Sequence, residues 1–312
     1  MIIYAININS GGGKVLLDRL LIENPFERTT AVLLDSRYTP PREFTGYTVY
    51  FKVWERLFAE VLLHKKLKTE ANNESVLFFG NLPPFIKTKV KSILYLQNCY
   101  LTRQVPLPED SLKVKFRSFV ESLLLKLFYK NVDEIWVQTE WMKTITQKYC
   151  PKANIKIKPF LPLLPQAHPK ATKDYKFTYV GSLSINKGLP NFLKALEDLD
   201  KSLKSKIKVS VVLNNTLEEA NQSGLFTKSL LNITLDLKCR VGREELSRIY
   251  EASEFLVVTS LYESFYLPAY EAIHFGCKVI ASKNVGYLSH LHDSKDFIFY
   301  SGDDLDLTKL SI

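Results

Sequence analysis

Phe255-Leu-Val-Val258 leads through Thr259 into Ser260-Leu-Tyr-Glu263-Ser-Phe-Tyr-Leu-Pro268-Ala-Tyr-Glu271-Ala-Ile-His-Phe-Gly276, and the chain then turns apolar again at Val279-Ile-Ala-Ser282. A short apolar run bounded by turn residues reads as a strand buried on both faces. Pro268 suits the start of a helix and Gly276 its end. Strand, loop, short helix and strand in that order make a βα unit of a parallel sheet. This reading puts Glu271 within the first turn of the helix and leaves Glu263 in the loop above it, both facing one cleft.

The same alternation extends in both directions. Phe177–Val180, Ile207–Leu213, Ile233–Leu237, Phe255–Val258, Lys278–Ala281 and Phe297–Tyr300 are the strand candidates of the second half. The first half offers Ile2–Ile8, Ala31–Leu34, Tyr47–Phe51, Val76–Phe79, Ile93–Gln97 and Glu134–Gln138. Between the halves, Lys158-Pro-Phe-Leu-Pro-Leu-Leu-Pro-Gln-Ala-His-Pro169 contains four prolines and cannot continue a helix or a central strand. A chain of 312 residues is at the size where one core stops growing. The expectation is α/β, with two facing Rossmann-like domains of mostly parallel strands, one over 1–160 and one over 170–312. Ligands of such sheets bind beyond the C-terminal strand edges, so function is expected in the cleft between them.

Composition excludes several classes. Aromatic residues make up 12% of the chain, ample for packed cores, and no run of apolar residues is long enough to span a bilayer. Met1–Asn9 lacks the basic region and cleavage site of a signal peptide, so a cytoplasmic protein is expected. Cys99, Cys150, Cys239 and Cys277 are far apart and set neither a zinc site nor a disulfide framework. His64, His168, His274, His290 and His292 show no ligand spacing. The net charge of +9 is spread along the chain without a recognition motif, so no nucleic-acid partner is expected.

Two glycine-bearing turns follow strands. Ser10-Gly-Gly-Gly-Lys14 precedes a leucine-rich helix over Val15–Ile22, and Gly11, Gly12 and Gly13 let backbone amides approach an anion. A dinucleotide fingerprint needs glycine where Leu16 stands, although Asp35 ends the second strand as a ribose-binding acid would. A tight turn without a ligand is the alternative. Gly181-Ser-Leu-Ser-Ile-Asn-Lys-Gly188 precedes Pro190 and a helix over Asn191–Leu199, which sets Lys187 at a helix N-terminus where it can meet a diphosphate. A plain surface lysine is the alternative there. Amides of Phe265, Tyr266 and Leu267 can hold a diphosphate, and each of Glu263 and Glu271 can accept sugar hydroxyls; a capping acid and a solvated loop acid are the plainer reading.

Taken together, Gly181–Gly188, Val241-Gly-Arg-Glu-Glu-Leu246 with Tyr250, Glu263–Gly276 and Val279–Ser282 resemble retaining glycosyltransferase family 4 of the GT-B fold, and in particular its bacterial surface-polysaccharide and O-antigen transferases. The resemblance is strongest over 176–286 and looser before. It implies that Glu263 holds the donor sugar, Glu271 the nucleotide ribose and Lys187 the diphosphate. Gly181 and Ser182 would line the donor, with Gly11–Gly13 opposite it. Tyr95-Leu-Gln-Asn98 and Val137-Gln-Thr139 look like strand ends of the acceptor domain. The chain departs from the pattern at Ser182, where an arginine is common, and at Tyr266, where the usual glycine would leave more room for the sugar diphosphate. Near the scissile bond many members have a histidine, and here only Gln97 and Asn98 are on offer. Only Leu305–Ile312 follow the last strand, too few for the crossover helix of the family.

Retaining chemistry of this family is described as front-face substitution, which needs no protein nucleophile. No cofactor and no metal are expected; Asp304-Leu-Asp306 spells an acid-x-acid pattern but reads as a turn and helix start. Lys113–Lys130 reads as a helix with Phe116, Phe119, Val120, Leu123, Leu124, Leu127 and Phe128 on one face and basic residues opposite. We expect that face to pack on the core, with an anionic membrane surface as the alternative. Lys65-Lys66-Leu67-Lys68 suits the C-terminal dipole of another helix. The expected activity is sugar transfer from a nucleotide sugar to a carbohydrate or lipid-linked acceptor in polysaccharide biosynthesis, by a cytoplasmic protein that can lie on the inner face of the membrane. The alternatives are a non-catalytic GT-B subunit or another GT-B sugar-nucleotide enzyme, such as an epimerase or a phosphorylase.

Overall fold

A computed structural model describes residues 1–9, 11–23, 31–69, 75–107, 111–161, 164–167, 172–282, 286–291, 294–300 and 305–309. The chain divides into two compact units, the first comprising Met1–Leu107 and Ser111–Leu163 and the second running over Leu164–Ile312.

The sheet of the first unit holds β1 (Ile2–Ala5), β2 (Ala31–Asp35), β3 (Thr48–Phe51), β4 (Val76–Phe78), β5 (Ser92–Tyr95), β6 (Glu134–Val137) and β7 (Ile155–Ile157). Their order is β3-β2-β1-β4-β5-β6-β7, with every pairing parallel. Helices α1 (Gly11–Glu23), α2 (Arg56–Thr69), α3 (Leu112–Phe128) and α4 (Glu140–Tyr149) accompany it. β1, β4, β5 and β6 are buried along their whole length, which is why they read as continuous apolar runs rather than alternating ones.

In the second unit, β8 (Tyr175–Gly181), β9 (Ile207–Leu213), β10 (Ile233–Cys239), β11 (Ser253–Val258), β12 (Lys278–Ser282) and β13 (Phe297–Tyr300) lie in the order β10-β9-β8-β11-β12-β13. All are parallel. Its helices are α5 (Leu189–Asp200), α6 (Leu217–Gln222), α7 (Arg243–Glu251) and α8 (Leu267–His274). Phe192, Leu196, Val209, Val211, Val257 and Ile280 are buried together in its core. Both sheets reverse winding direction once, between β1 and β4 and between β8 and β11. These are the switch points at which open α/β sheets bind ligands.

The α/β architecture is as expected, and each strand candidate is a strand, within a few residues at the ends. β7 was not foreseen. Two features differ in substance. Helix α1 already begins at Gly11, so the three glycines form its first turn instead of a loop ahead of it; a side chain on Gly13 would meet Ile8 at 3.2 Å, and its absence lets the helix start close to the strand end. Helix α3 is turned the other way. Ser122 and Leu125 face inward, whereas Phe116, Phe119, Val120, Leu123 and Leu127 are exposed. Ser122 seats the helix: its hydroxyl donates to Leu101 O at 2.9 Å and accepts from Arg103 Nε at 3.2 Å. Its carbonyl accepts from the Tyr149 hydroxyl at 3.0 Å. The core-facing expectation thus fails for these five residues, while Leu124 and Phe128 of the same stripe are half-buried and Phe128 packs edge-on against Phe85.

The stretches 158–161 and 164–167 are neither helix nor strand. Ser10, Pro162, Leu163, His168, Pro169, His292 and the Ser301–Asp304 stretch lie outside the described residues. Among the described residues, no helix is long and apolar enough to cross a membrane.

Candidate active site

At the switch point of the second unit, β8 ends at Gly181 and a 3-10 turn over Ile185–Lys187 leads to Gly188, whose φ of 66° begins α5. Glycine is needed there twice over. That φ is costly for any side chain, and a Cβ would stand 2.3 Å from Thr259 O at the end of β11. The close approach fixes Lys187: its carbonyl accepts from Thr259 Oγ1 at 2.9 Å and from the Tyr179 hydroxyl at 3.2 Å. Leu261 N donates to Asn186 O at 3.1 Å and ties the two loops together.

The two loops bring Lys187 and Glu263 into an ion pair between Nζ and Oε1. Both are partly covered, with side chains 26% and 16% exposed, so the pair is screened less than one on the open surface. The Lys187 ammonium also lies 5.9 Å from the centre of the Tyr266 ring. Tyr266 is buried, and its hydroxyl donates to Val180 O at 2.8 Å. That hydrogen bond ties the Tyr266 side chain to the end of β8. Phe265 and Leu267 are buried as well, with the Phe265 and Tyr270 rings stacked at 4.3 Å. What this segment offers a ligand is therefore backbone at the start of α8, where no side chain caps the helix.

Glu271 is the fifth residue of α8, one residue deeper than expected and just past the first turn, because the helix starts at Leu267 with Pro268 second. Burial pushes its carboxyl above the usual range, and Arg243 and a 3.4 Å hydrogen bond from the Tyr250 hydroxyl act against that. Tyr250 is itself buried and stacked on Phe275. Burial, and then the charges of Tyr179, Glu263 and Glu271, keep Tyr266 protonated well beyond the usual range. Gly181 packs against Tyr179, whose hydroxyl oxygen lies 2.5 Å from where a Cβ would be. Ser182 O lies 3.4 Å from that hydroxyl. Lys187, Glu263, Glu271, Gly181, Ser182 and the Phe265–Leu267 segment thus converge on one switch point. Sequence reasoning missed Tyr179 and Thr259; the signal for Thr259 was its place directly after a buried strand and opposite a glycine.

The first unit gathers other residues at its own switch point. Gly13 lies next to Gln97, whose Oε1 would be 3.5 Å from a Cβ on that glycine. Asn81, with φ 69°, accepts from the backbone N of Gln97 at 2.6 Å and of Asn98 at 2.9 Å. The Asn98 side chain accepts from Tyr100 N at 3.1 Å and caps the following turn. Asn7 donates to Gly80 O across the switch point. Asn7 and Asn81 carry no sequence signal beyond following a strand. Asp35 is engaged: it takes two hydrogen bonds from the Arg37 guanidinium, at 2.9 and 2.7 Å, and another from Arg37 N. Burial works to raise its carboxyl, and these bonds outweigh burial and hold it below the usual range. Among the described residues, no group of three or more His, Cys, Asp or Glu side chains is placed to hold a metal ion. Asp306 accepts from Thr308 N and pairs with Lys309, as a turn-starting acid does.

Residues 162–310 match the family model of glycosyl transferases group 1. The match falls on the second unit and carries the Lys187, Glu263 and Glu271 site. No curated protein matches the chain in sequence. Solved structures share its fold at low identity. WaaG, a glycosyltransferase involved in lipopolysaccharide biosynthesis, is 16% identical with a TM-score of 0.65, over 98% of this chain and 87% of its own. Sucrose-phosphate synthase from Thermosynechococcus elongatus is 14% identical with a TM-score of 0.64, over 97% of this chain and 86% of its own. Anabaena HepE, solved with UDP and glucose, is 13% identical with a TM-score of 0.62, over 97% and 86%. The fold is thus that of GT-B glycosyltransferases, two Rossmann-like units of parallel strands.

Proposed function

We propose that the chain is a retaining, metal-independent glycosyltransferase that moves one sugar from a nucleoside diphosphate to a carbohydrate acceptor in polysaccharide biosynthesis. The observation that carries this reading is the convergence of Lys187, Glu263 and Glu271 at the switch point of the unit that matches group 1 glycosyltransferases. In it, Lys187 exchanges Glu263 for the diphosphate, Glu263 turns to the transferred sugar and Glu271 holds the ribose. The amides of Phe265, Tyr266 and Leu267 at the start of α8 complement the phosphate charge, and Gly181 and Ser182 line the donor; Gly11–Gly13 enter this reading through the family resemblance alone. Gln97 and Asn98 are assigned to the acceptor. A lipid-linked acceptor and attachment to the inner face of a membrane belong to the same reading.

The reaction breaks the bond between the anomeric carbon and the diphosphate oxygen while the acceptor hydroxyl oxygen bonds to that carbon on the same face. The acceptor proton passes to the departing phosphate. The Lys187 ammonium and the helix amides stabilise charge that grows on the leaving group, which is where differential binding lowers the barrier. UDP-sugars are the first donors to test, since HepE holds UDP. Proton NMR of the product formed in EDTA decides the stereochemistry: the anomeric configuration of the donor should be kept. An inverted product, or activity abolished by EDTA and restored by a divalent cation, would contradict this mechanism.

A further inference from the structure

Two helices of the first unit carry apolar stripes on their outer faces. On α2 and the turn before it, Trp54, Leu57, Phe58 and Val61 recur at the spacing of one helical face, and all four are exposed, Trp54 at 77%. Ala59, Glu60 and Leu63, on the opposite face, are buried. On α3, Leu112, Phe116, Phe119, Val120, Leu123 and Leu127 are exposed and fall within an arc of about 100° at 3.6 residues per turn. Ser122 and Leu125 seat that helix from the other side. Both helices thus bury one leucine beside small or polar residues, Leu63 with Ala59 and Glu60 and Leu125 with Ser122, and leave most of their large apolar residues outward.

The stripes belong to one face of the unit. α2 connects β3 to β4 and α3 connects β5 to β6, both stepping in the same direction along the sheet, and right-handed crossovers put such helices on the same side. The Pro83–Ile86 segment joins them. The Arg56 guanidinium of α2 lies 4.5 Å above the Phe85 ring, Glu60 accepts from Phe85 N at 2.8 Å, and Phe85 meets Phe128 at the end of α3 edge-on at 5.2 Å. Ile86, next in the chain, is exposed.

Cations border this apolar surface. At 3.6 residues per turn, Lys113 and Arg117 fall on one side of the α3 stripe, and Lys115 and Lys126 on the other. Around α2, Lys52 lies 5.6 Å from the Trp54 ring and Lys66 lies 5.3 Å from the exposed Tyr47 ring. Arg103 sits 4.8 Å over Phe119. The acids nearby are engaged: Glu55 accepts from Lys52 N, and Glu121 pairs with Arg117 at 2.8 Å. A second copy of the chain would bring like charge against like charge. An anionic bilayer meets both halves of the pattern, with headgroups for the cations and the acyl boundary for the rings.

We propose that the exposed faces of α2 and α3 form a single docking surface for an anionic lipid bilayer, with Trp54, Phe58, Phe116 and Phe119 entering the boundary between headgroups and chains; this rests on the membrane attachment in the proposed function and assigns it a surface whose test is independent of sugar transfer. The test is cosedimentation of the full chain with phosphatidylcholine vesicles, with and without phosphatidylglycerol. The chain should sediment with the anionic vesicles, much less with the neutral ones, and less as salt rises. The pairs Trp54→Ser with Phe58→Ser and Phe116→Ser with Phe119→Ser should each weaken binding by about tenfold or more, since each withdraws large apolar surface, while far-ultraviolet circular dichroism stays unchanged. Should either pair fail to fold, the charge reversal of Lys113, Lys115 and Arg117 to Glu carries the test, with the same loss expected. The proposal is overturned if the parent leaves anionic vesicles unbound at low salt, or if a folded pair binds as the parent does. It is also overturned if sedimentation equilibrium finds a dimer that both pairs dissociate, which would make a second copy the occupant.

Discussion

The two units share one strand order, β3-β2-β1-β4 in the first and β10-β9-β8-β11 in the second, and each sets a glycine-bearing segment after the strand where winding reverses. They arm that place differently. The second unit converges a lysine, two glutamates and a helix start, with Tyr250 and Tyr266 buried among them. The first converges amides: Asn7 on Gly80, Asn81 on the backbone of Gln97 and Asn98, and Gln97 beside Gly13. Charged groups of both signs suit a sugar diphosphate, whose phosphates are anionic and whose hydroxyls donate. Neutral amides suit a ligand made of hydroxyls. On the proposed function, a shared scaffold would support two chemistries, divided by a few side chains at matching strand ends.

The largest effect on nucleotide affinity that can break this contrast is at Lys187. Lys187→Ala removes a charge-assisted contact of about 1.5–3 kcal/mol, so nucleoside diphosphate should bind about ten- to a hundredfold more weakly by calorimetry, with the fold kept. Equal affinity would remove Lys187 from the site. A smaller effect is expected in the first unit. Gln97→Ala should raise the acceptor KM about three- to tenfold, the worth of a neutral hydrogen bond, and leave nucleoside diphosphate affinity unchanged. A shift in nucleotide affinity of the same size would erase the contrast between the units.

The smallest effect concerns stability. Burial raises the Glu271 carboxyl above the usual range. A carboxyl with a higher pKa folded than unfolded favours the native state most below about pH 4, near its unfolded value, and that advantage is lost as pH rises through the raised value. Glu271→Gln removes the charge, so the variant should melt above the parent at neutral pH, and the gap should close as pH falls below the usual carboxylate range. A variant that melts lower at neutral pH would mean that Arg243 and Tyr250 more than offset the burial.

The second unit was the more legible in sequence because its signals are local. Gly188, Pro190, Pro268 and Gly276 mark helix ends, and a glutamate on each side of Pro268 needs only the helix start to be placed; the one-residue error at Glu271 came from that start. Long-range approaches were not legible. Nothing near Tyr266 announces that its hydroxyl reaches Val180 O, 86 residues earlier in the chain, nor that Gly188 is pressed against Thr259 O. β7 was missed because two half-buried isoleucines around an exposed lysine, ahead of a proline-rich stretch, give too short a pattern. Periodicity identified the stripe on α3 but is silent on which way a stripe faces, and Ser122, an ordinary residue in sequence, settles that.

The most direct test of the central claim is isothermal calorimetry of nucleoside diphosphate and of intact donor on Glu263→Ala and Glu271→Ala, with turnover measured alongside in EDTA. Glu271→Ala should weaken both ligands alike, because both carry the ribose. Glu263→Ala should bind the nucleoside diphosphate no more weakly than the parent, since Lys187 is released from its partner, while turnover falls by about a hundredfold or more. If both variants bind and turn over as the parent does, Glu263 and Glu271 are not the donor site, and the glycosyltransferase reading loses the observation that carries it.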